Sequence, residues 1–363
     1  MELKLANYDI KGILGEGGMA VVYLAEQTAL HRQVAIKVLR REFMNNDNVR
    51  RRFLDEGRKL ASLNHENIIR VFDLISAGDA VAIVMERVEG LTLKELLESY
   101  GKMEKKDCLE LLGQMVSALD YVHNQGYIHR DVKPSNFMVT NKGNVKLLDF
   151  GIAKDLGEEA MIRTQTGTAP MGTPMYMSPE QIKEVSKVER QTDIYSLGVV
   201  LWQMLSGEKP YQGVTLSDFD LKYKIVHESL KRLGNEFDEI IGKATEKQVE
   251  YRYKTCEEMW RAVVKSLGLN LQNNFSRKID NKTMNIDDKT FIEVDKTKLD
   301  PIESSQMTNS KQQGPSKSTS KLSFITPLLL VIIGASIPFG PLGLIVGIVS
   351  YFSLRYLNQR IRK

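Results

Sequence analysis

The run from Leu322 to Leu354 constrains the fold of this chain most, because it contains no charged residue. As a single α-helix it would measure about 50 Å, whereas the hydrocarbon core of a bilayer is about 30 Å thick. Pro338 and Pro341, near its middle, predict a kink or a turn. We therefore expect a membrane segment at residues 322–354, built either as one kinked and tilted helix or as a hairpin that enters the bilayer and returns.

Basic residues flank this segment on both sides. Lys317 and Lys321 precede it, and a basic tail at residues 355–363 follows it. Positive charge on both flanks favours the hairpin, with both ends in the cytoplasm. The cost of a lipid-exposed turn favours the single span, so both topologies stay open.

Residues 269–321 have the composition of a disordered juxtamembrane linker. They are rich in Lys, Asp, Asn, Ser, Thr and Gln, with mixed charge and scattered apolar side chains. Four threonines of this linker are candidate phosphorylation sites or, alternatively, simply solvated residues: Thr283, Thr290, Thr297 and Thr308.

The rest of the chain has the composition of a globular protein. Apolar residues make up 42% of the sequence, and 50 basic residues are nearly balanced by 46 acidic ones, so we expect a real core and no nucleic-acid partner. The only cysteines, Cys108 and Cys256, predict buried thiols in a reducing compartment. Because no apolar run follows Met1, we expect no secretory signal peptide.

The first part of the chain predicts a small β-rich domain. Short β-prone runs at Tyr8–Leu14, Val21–Ala25 and Gln33–Leu39 are followed by two more at Ile68–Leu74 and Ala80–Glu86. The first two runs enclose a glycine-rich segment. Such a segment suits close approach of backbone N–H groups to a phosphate, although it is also typical of an ordinary turn.

Lys37 stands near the end of an apolar strand and therefore predicts an acidic partner, because an unpaired buried cation costs much free energy. A helix predicted at Asn48–Leu63 offers Glu56 as that partner. The alternative is that Glu56 is a solvated surface residue.

Charged and polar side chains are concentrated between His129 and Asn136. Pro134 limits helix formation, so this stretch predicts a rigid loop. Asp131 suits orientation of a hydroxyl and acceptance of its proton, Lys133 suits neutralisation of a phosphate, and Asn136 can offer an amide oxygen to Mg²⁺. A polar loop without chemistry is the alternative.

Beyond this loop, Asp149 ends an apolar run and precedes a glycine, which suits either a metal ligand or a turn. A long polar segment follows at residues 152–177, and loops of that length are usually functional or mobile. Apolar periodicity predicts helices at Leu91–Tyr100 and Lys105–Asn124 and over most of the chain from residue 178 to 267.

In this order and at this spacing, the motifs resemble those of the eukaryotic-type (Hanks-type) bacterial serine/threonine protein kinases of the membrane-associated kind. The resemblance covers about residues 8–267. It implies an α+β, two-lobed protein kinase fold at residues 8–268, followed by the C-terminal membrane segment. The small, β-rich N-lobe would be residues 8–86 and the larger, helical C-lobe residues 90–268.

The resemblance also implies roles for individual residues. Asp131 matches the catalytic aspartate, and Lys133 matches the lysine typical of serine/threonine kinases. Asn136 and Asp149 match the ligands of Mg²⁺, for which Mn²⁺ is an alternative, and Glu56 matches the ion-pair partner of the ATP-binding lysine. The residues that match the ATP-binding site are Leu14, Gly15, Glu16, Gly17, Gly18, Met19, Ala20, Val22, Ala35, Lys37, Glu86 and Val88.

Other matches concern supporting residues. Asp193 matches the aspartate that braces the catalytic loop, and Arg252 matches the arginine that pairs with Glu180. The chain departs from the pattern at Ala20, in place of the third glycine, and at Ser178, in place of an alanine. Neither position contributes a side chain to the chemistry, so we expect both changes to be neutral.

The polar segment before Glu180 predicts regulation. A phosphate there would add about −1.5 to −2 charges and could order the segment against Arg130. We expect autophosphorylation in trans, within a kinase dimer, whereas Thr173 resembles the threonine of the substrate pocket. The candidate phosphorylation sites are Thr164, Thr166 and Thr168.

The sequence thus predicts a kinase that transfers the γ-phosphoryl group of ATP to serine and threonine hydroxyls of protein substrates. We expect it at the cell membrane, with the kinase domain in the cytoplasm. A pseudokinase-type nucleotide-binding scaffold is the alternative from another class, and the intact set of predicted site residues argues against it. A small-molecule phosphotransferase of similar fold is disfavoured by the long segment that ends in Pro179-Glu180.

Overall fold

The computed structural model describes residues 5–77, 80–149, 174–184, 187–211 and 217–268. Within these ranges, no helix combines the length and the apolar character that a membrane crossing requires. The linker, the membrane segment at 322–354 and the basic tail lie outside the described residues, together with their threonines. The same holds for Thr164, Thr166, Thr168 and Thr173.

Five strands form the sheet of the N-lobe in the order β1-β2-β3-β5-β4, and every neighbouring pair is antiparallel. Alternate residues of a strand point to opposite faces of its sheet. Val34 and Ile36 are therefore buried on one face, and Ala35 and Lys37 lie on the other. The strands are β1 (Tyr8–Glu16), β2 (Ala20–Gln27), β3 (Arg32–Leu39), β4 (Val71–Ala77) and β5 (Ala80–Glu86).

The strand predicted to begin at Ile68 begins at Val71 instead. The residues before it form backbone hydrogen bonds elsewhere: Ile69 N–H donates to Leu147 O at 2.9 Å, and Leu147 N–H donates to Asn67 O at 2.7 Å. These bonds form an isolated parallel bridge with a strand of the C-lobe. The β-branched side chains correctly indicated extended backbone, but they did not indicate which sheet it joins.

The N-lobe helix α1 (Asp47–Ser62) begins where Asn46 accepts hydrogen bonds from the N–H groups of Asn48 and Val49. Its buried stripe includes Phe53, Glu56, Gly57 and Leu60. A Cβ on Gly57 would lie 2.4 Å from Leu74 Cδ2 of β4 and 3.1 Å from Ile83 Cγ1 of β5. This glycine therefore allows α1 to pack directly on the sheet.

The C-lobe combines a small antiparallel sheet, in the order β6-β7-β8, with a set of helices. The helix predicted from Leu91 begins at Leu93, because Leu91 pairs with Val139 of the small sheet and Thr92 caps the helix with Glu95. The elements are β6 (Gly90–Thr92), α2 (Leu93–Tyr100), α3 (Lys105–Asn124), β7 (Phe137–Thr140), β8 (Val145–Leu147), α4 (Pro179–Lys183), α5 (Gln191–Ser206), α6 (Asp218–His227), α7 (Asp238–Ala244) and α8 (Cys256–Ser266).

Helix α5 lies at the centre of the C-lobe, since every residue from Thr192 to Leu205 is buried. A helix that is apolar all round is expected in the interior of a large domain. It packs against α3 and α7 and carries polar side chains at its N-terminal end. The two-lobed α+β architecture that the motifs imply is present in the described residues.

Candidate active site

The loop between α3 and β7 is held by Asp193 of α5. Its Oδ1 accepts a hydrogen bond from Arg130 N–H and its Oδ2 accepts one from His129 N–H, each at 2.8 Å. The same Oδ2 lies 2.8 Å from Nε2 of His123 at the end of α3. Because Asp193 is fully buried on a rigid helix, these bonds fix the backbone at Arg130, whose φ of 65° lies in the left-handed region.

Within this loop, the side chains of Asp131, Lys133 and Asn136 meet. Lys133 Nζ lies 2.7 Å from Asp131 Oδ2. The amide Nδ2 of Asn136 donates to the backbone oxygen of Asp131 at 2.7 Å and to its Oδ2 at 3.1 Å. The Asp131 carboxylate is thus oriented by two donors, and its side chain is only 14% exposed. Such a group suits holding a hydroxyl and receiving its proton.

A second constellation surrounds Lys37 on β3. Its Nζ lies 2.8 Å from Glu56 Oε1 on α1 and 2.8 Å from Asp149 Oδ1, just after β8. Burial opposes the charge of Lys37, but the carboxylates of Asp149 and Glu56 outweigh it and raise the pKa of the ammonium above its usual range. Burial also raises the pKa of Glu56 to about 7, against the attraction of Lys37. Lys37 is therefore a firmly held cation at neutral pH.

Backbone hydrogen bonding links the two constellations. Leu148 N–H donates to Asn136 O at 2.8 Å, so Asp149 follows directly after a residue that is bonded to Asn136. The amide nitrogen of Asn136 is engaged by Asp131, which leaves its oxygen as the group that can ligate. The Asp149 side chain is 48% exposed and carries a second carboxylate oxygen beside the one near Lys37. An amide oxygen and a carboxylate oxygen, on residues linked through this backbone bond, are donors that fit a hard cation such as Mg²⁺.

The glycine-rich turn between β1 and β2 is closed by a hydrogen bond from Gly17 N–H to Ala20 O at 2.8 Å. Arg40 Nε donates to Gly17 O at 2.9 Å, and its guanidinium lies 2.8 Å from Glu16 Oε2. Ala20 itself is buried, so the departure from glycine is accommodated by apolar packing. The register pairs Val22 with Lys37, which places this turn next to the lysine.

The remaining predicted nucleotide-binding residues follow from the pairing of β3 with β5. Ala35 pairs with Met85, and Val34 pairs with Glu86. The Glu86 carboxylate accepts hydrogen bonds from Arg70 N–H at 2.9 Å and Lys146 Nζ at 2.7 Å. Val88 packs against the core just after β5. Glu86 is therefore positioned through its side chain, while a role in holding adenine stays a prediction.

A buried ion pair anchors the segment after residue 173. Both guanidinium nitrogens of Arg252 contact Glu180, at 2.7 and 2.8 Å, and Thr192 Oγ1 donates to Glu180 Oε1 at 2.6 Å. Burial opposes ionisation of Glu180, but the hydrogen bonds and charge of Arg252 outweigh it and hold the pKa of the carboxyl below its usual range. Ser178 is fully buried and caps α4 with Gln181, so its hydroxyl is accommodated.

Sequence reasoning missed two side chains that touch these loops. Gln181 Nε2 donates to Arg130 O at 2.7 Å and so connects α4 to the loop that carries Asp131. Arg40 supports the glycine-rich turn as described above. No local spacing indicated either contact, because each depends on how distant segments pack.

Comparison with known proteins agrees with this geometry. Residues 8–267 match the family described as protein kinase domain. The chain is similar to the serine/threonine-protein kinase PrkC of Bacillus subtilis, with 39% identity over 258 residues, which is 70% of this chain and 39% of PrkC. It is also similar to the serine/threonine-protein kinase PknB of Mycobacterium tuberculosis, with 39% identity over 264 residues, 70% of this chain and 42% of PknB. The chain thus spans about two fifths of the length of these curated relatives.

A solved structure resembles the fold as well. The crystal structure of the PknI kinase domain of Mycobacterium tuberculosis superposes with a TM-score of 0.57 and 24% identity. The match covers 74% of this chain and 98% of that domain. At this level of identity, the likeness supports the fold.

Proposed function

This chain belongs to the protein kinase domain family, and from that premise we propose that it transfers the γ-phosphoryl group of ATP to serine and threonine hydroxyls of protein substrates. The observation that carries the proposal is the meeting of two constellations: Asp131 with Lys133 and Asn136, and Lys37 with Glu56 and Asp149.

Asp131 would receive the acceptor. Its carboxylate orients the serine or threonine hydroxyl and accepts the proton as the oxygen attacks phosphorus. Lys133, 2.7 Å from the same carboxylate, keeps it in place and offers positive charge to the transferred phosphoryl group. The lysine at this position favours serine and threonine over tyrosine as acceptors, following the family pattern.

Lys37 would hold the phosphate tail of ATP, and Glu56 keeps the ammonium aimed at it. Asn136 and Asp149 would hold Mg²⁺, or Mn²⁺ as an alternative, and when bound the cation supplies neutralisation of the phosphate charge. The glycine-rich turn at residues 15–20 would cover the phosphates, and Ala35, Glu86 and Val88 would line the adenine site.

The second candidate, a nucleotide-binding scaffold without catalysis, lacks support from the site. Loss of catalysis would be expected to accompany loss of Lys37, Asp131 or Asp149. All three side chains are present, and each lies within hydrogen-bond distance of a partner of opposite charge.

Membrane attachment through residues 322–354 is also part of this proposal, supported by the uncharged run and its basic flanks. Protease accessibility of a tag placed after Lys363, in sealed vesicles, separates a single span from a hairpin.

Autophosphorylation in trans is proposed for Thr164, Thr166 and Thr168, supported by the position of Arg130 beside Asp131. Mass spectrometry of the active protein that finds no phosphate between Asp149 and Glu180 would overturn it.

The direct test uses the full chain, labelled ATP, Mg²⁺ and a generic protein acceptor. We expect label on serine and threonine and none on tyrosine. Nucleotide binding without transfer would instead identify a scaffold.

A further inference from the structure

Lys247 is a partly buried cation of the C-lobe that the proposed chemistry does not use. Its Nζ donates to the backbone oxygen of Ile225 at 2.8 Å and lies 3.3 Å from Tyr195 Oη and 3.5 Å from Tyr211 Oη. All three of these partners are neutral. Within the part of the chain that the structure describes, no carboxylate lies within ion-pair distance of this ammonium, and its charge instead faces the rings of Tyr195 and Tyr211, whose centroids lie 5.5 and 5.7 Å away.

The contacts of Lys247 join two helices and a residue of the connection between them. Tyr195 belongs to the central helix α5, Ile225 lies in the last turn of α6, and Tyr211 follows α5. The two tyrosine hydroxyls are 2.9 Å apart, so the ammonium and both hydroxyls form one polar cluster. A cation at a helix C-terminus also interacts favourably with the last carbonyl groups of that helix.

The backbone of Tyr211 is held in an unfavourable conformation, which is a second feature of this cluster. Its φ is 58°, in the left-handed region that bulky residues rarely adopt. Such a conformation persists only where surrounding contacts hold it. The Tyr211 hydroxyl contacts the ammonium of Lys247 and the hydroxyl of Tyr195, and these contacts hold the side chain in place.

This cluster packs against the segment that directly follows Thr173, the residue that resembles the threonine of the substrate pocket. Leu221 and Ile225 of α6 pack with Tyr195, and Met175 and Tyr176 pack against the same apolar cluster. Ser196, the neighbour of Tyr195 on α5, donates to Tyr176 O at 2.6 Å.

The segment Pro174–Tyr176 is also connected to the loop that carries Asp131, through α4. Tyr176 precedes α4, where Gln181 donates to the backbone oxygen of Arg130, next to Asp131. The loop that carries Asp131 is therefore connected, through α4 and the residues before it, to α5 and α6.

We infer that Lys247 is a positioning residue for the protein acceptor: its ammonium fixes the end of α6 and the Tyr195–Tyr211 pair, against which Met175 and Tyr176 pack. This inference rests on the proposed function, because it concerns the acceptor of the same reaction.

Burial, followed by the nearby charges, moves the pKa of Lys247 from the usual lysine range toward neutrality. Burial and Arg252 lower the pKa of Lys247 to about 8, Glu246 and Glu228 oppose them, and Lys183 adds a further small repulsion. Both tyrosines stay neutral in this range, because burial raises the pKa of Tyr211 to about 12 and that of Tyr195 well above its usual value. The ammonium is therefore present below about pH 8 and lost above it.

The test measures the KM for a protein acceptor and the KM for ATP, using the full chain, from about pH 7 to about pH 9. A hydrogen bond from a charged donor is stronger than one from a neutral donor, so we expect the acceptor KM of the wild type to rise roughly fivefold while the KM for ATP stays level. Lys247→Met is expected to show the high acceptor KM at every pH. Lys247→Arg keeps its charge and is expected to show a low, level acceptor KM.

Lys265→Met serves as the matched control, since this lysine is exposed on α8. Competitive acylation followed by mass spectrometry gives the protonation midpoint of Lys247 without relying on catalysis, and we expect about 8. A midpoint near the ordinary lysine value of about 10.5, or an acceptor KM of the wild type that is level across this range, would overturn the inference while the kinase assignment stands. A wild-type chain that transfers no phosphate would overturn the proposed function itself.

Discussion

Lys37 Nζ lies 2.8 Å from Oε1 of Glu56, although the two residues are 19 positions apart in sequence and belong to a strand and a helix. The same nitrogen lies 2.8 Å from Asp149 Oδ1 on the C-lobe side. The contacts of this one ammonium therefore depend on the relative positions of β3, α1 and the end of β8. Any change that moves α1 or the end of β8 should alter the site at Lys37.

The first prediction concerns Lys37→Met. The substitution removes the cation but keeps an apolar side chain of similar length, so we expect the fold to remain and phosphoryl transfer to fall by about 100-fold or more. Lys11→Met is the control, because Lys11 is an exposed lysine of the same sheet. Assay with labelled ATP gives the result, and a Lys37→Met chain with near-normal activity would contradict the assigned role.

The second prediction concerns Asp131→Asn. The amide keeps the shape of the carboxylate but cannot accept the hydroxyl proton, so we expect a loss of about 10²- to 10⁴-fold in kcat with ATP affinity little changed. Asp47→Asn is the matched control, since the Asp47 side chain is 98% exposed at the start of α1. Equal kcat values for Asp131→Asn and the control would exclude Asp131 as the base.

The third prediction concerns Gly57, where α1 approaches the sheet. Gly57→Ala places a Cβ 2.4 Å from Leu74 Cδ2, so we expect α1 to be displaced and the unfolding free energy to fall by about 1–3 kcal/mol, despite the better helix propensity of alanine. Because Glu56 is the preceding residue, activity should fall by about tenfold or more.

Gly12→Ala on β1 is the control for that change, since a Cβ there would have no atom within 4 Å. Thermal unfolding and the phosphorylation assay are measured on both variants. A Gly57→Ala chain as stable and active as Gly12→Ala would show that the helix needs no such close approach.

The fourth prediction concerns the buried pair of Glu180 and Arg252. Glu180→Gln leaves the arginine without its counter-charge, so we expect the unfolding free energy to fall by about 3 kcal/mol. The exposed Glu184→Gln should change it by less than about 0.5 kcal/mol.

The pH dependence of this effect has a definite sign. The pKa of Glu180 is depressed in the folded state, so its contribution is present above the ordinary pKa of about 4.3 and is lost as pH falls through the lower folded value. The difference in stability between wild type and Glu180→Gln should therefore shrink in acid. A difference that stays constant to about pH 2 would contradict the argument.

The fifth prediction concerns the cation. Chelation is expected to abolish transfer, and addition of Mg²⁺ or Mn²⁺ is expected to restore it. Asp149→Asn should raise the concentration of Mg²⁺ needed for half-maximal rate, because it removes one carboxylate ligand. An unchanged Mg²⁺ requirement in this variant would exclude Asp149 as a ligand.

Local spacing predicted that Asp131, Lys133 and Asn136 lie together, because they stand within one loop, and the structure shows their contacts. The short runs around Lys37 were correctly predicted as strands. The resemblance paired Glu56 with Lys37, which composition alone could not do, and the two side chains are in contact; the chemical roles of these residues stay predictions.

Features that depend on tertiary packing were less accessible. Ile68 and Ile69 indicated extended backbone, yet their hydrogen-bond partner is β8 rather than the N-lobe sheet. Gly57 gave no signal, because the atoms that exclude a side chain come from β4 and β5. The partners of Lys247 lie 22, 36 and 52 residues away in sequence, beyond the reach of any local pattern.

The attachment of residues 67–69 to the C-lobe has a mechanical consequence. Asn67 Nδ2 also donates to Val145 O at 3.0 Å, so this stretch is tied to β8 by both backbone and side chain. It connects α1 to β4, so the N-lobe is attached to the C-lobe sheet at this stretch as well as through the chain that follows β5. A rotation of the N-lobe about residues 67–69 would change the distance between the Lys37 ammonium and the Asp149 carboxylate, because Lys37 lies on β3 and Asp149 follows β8.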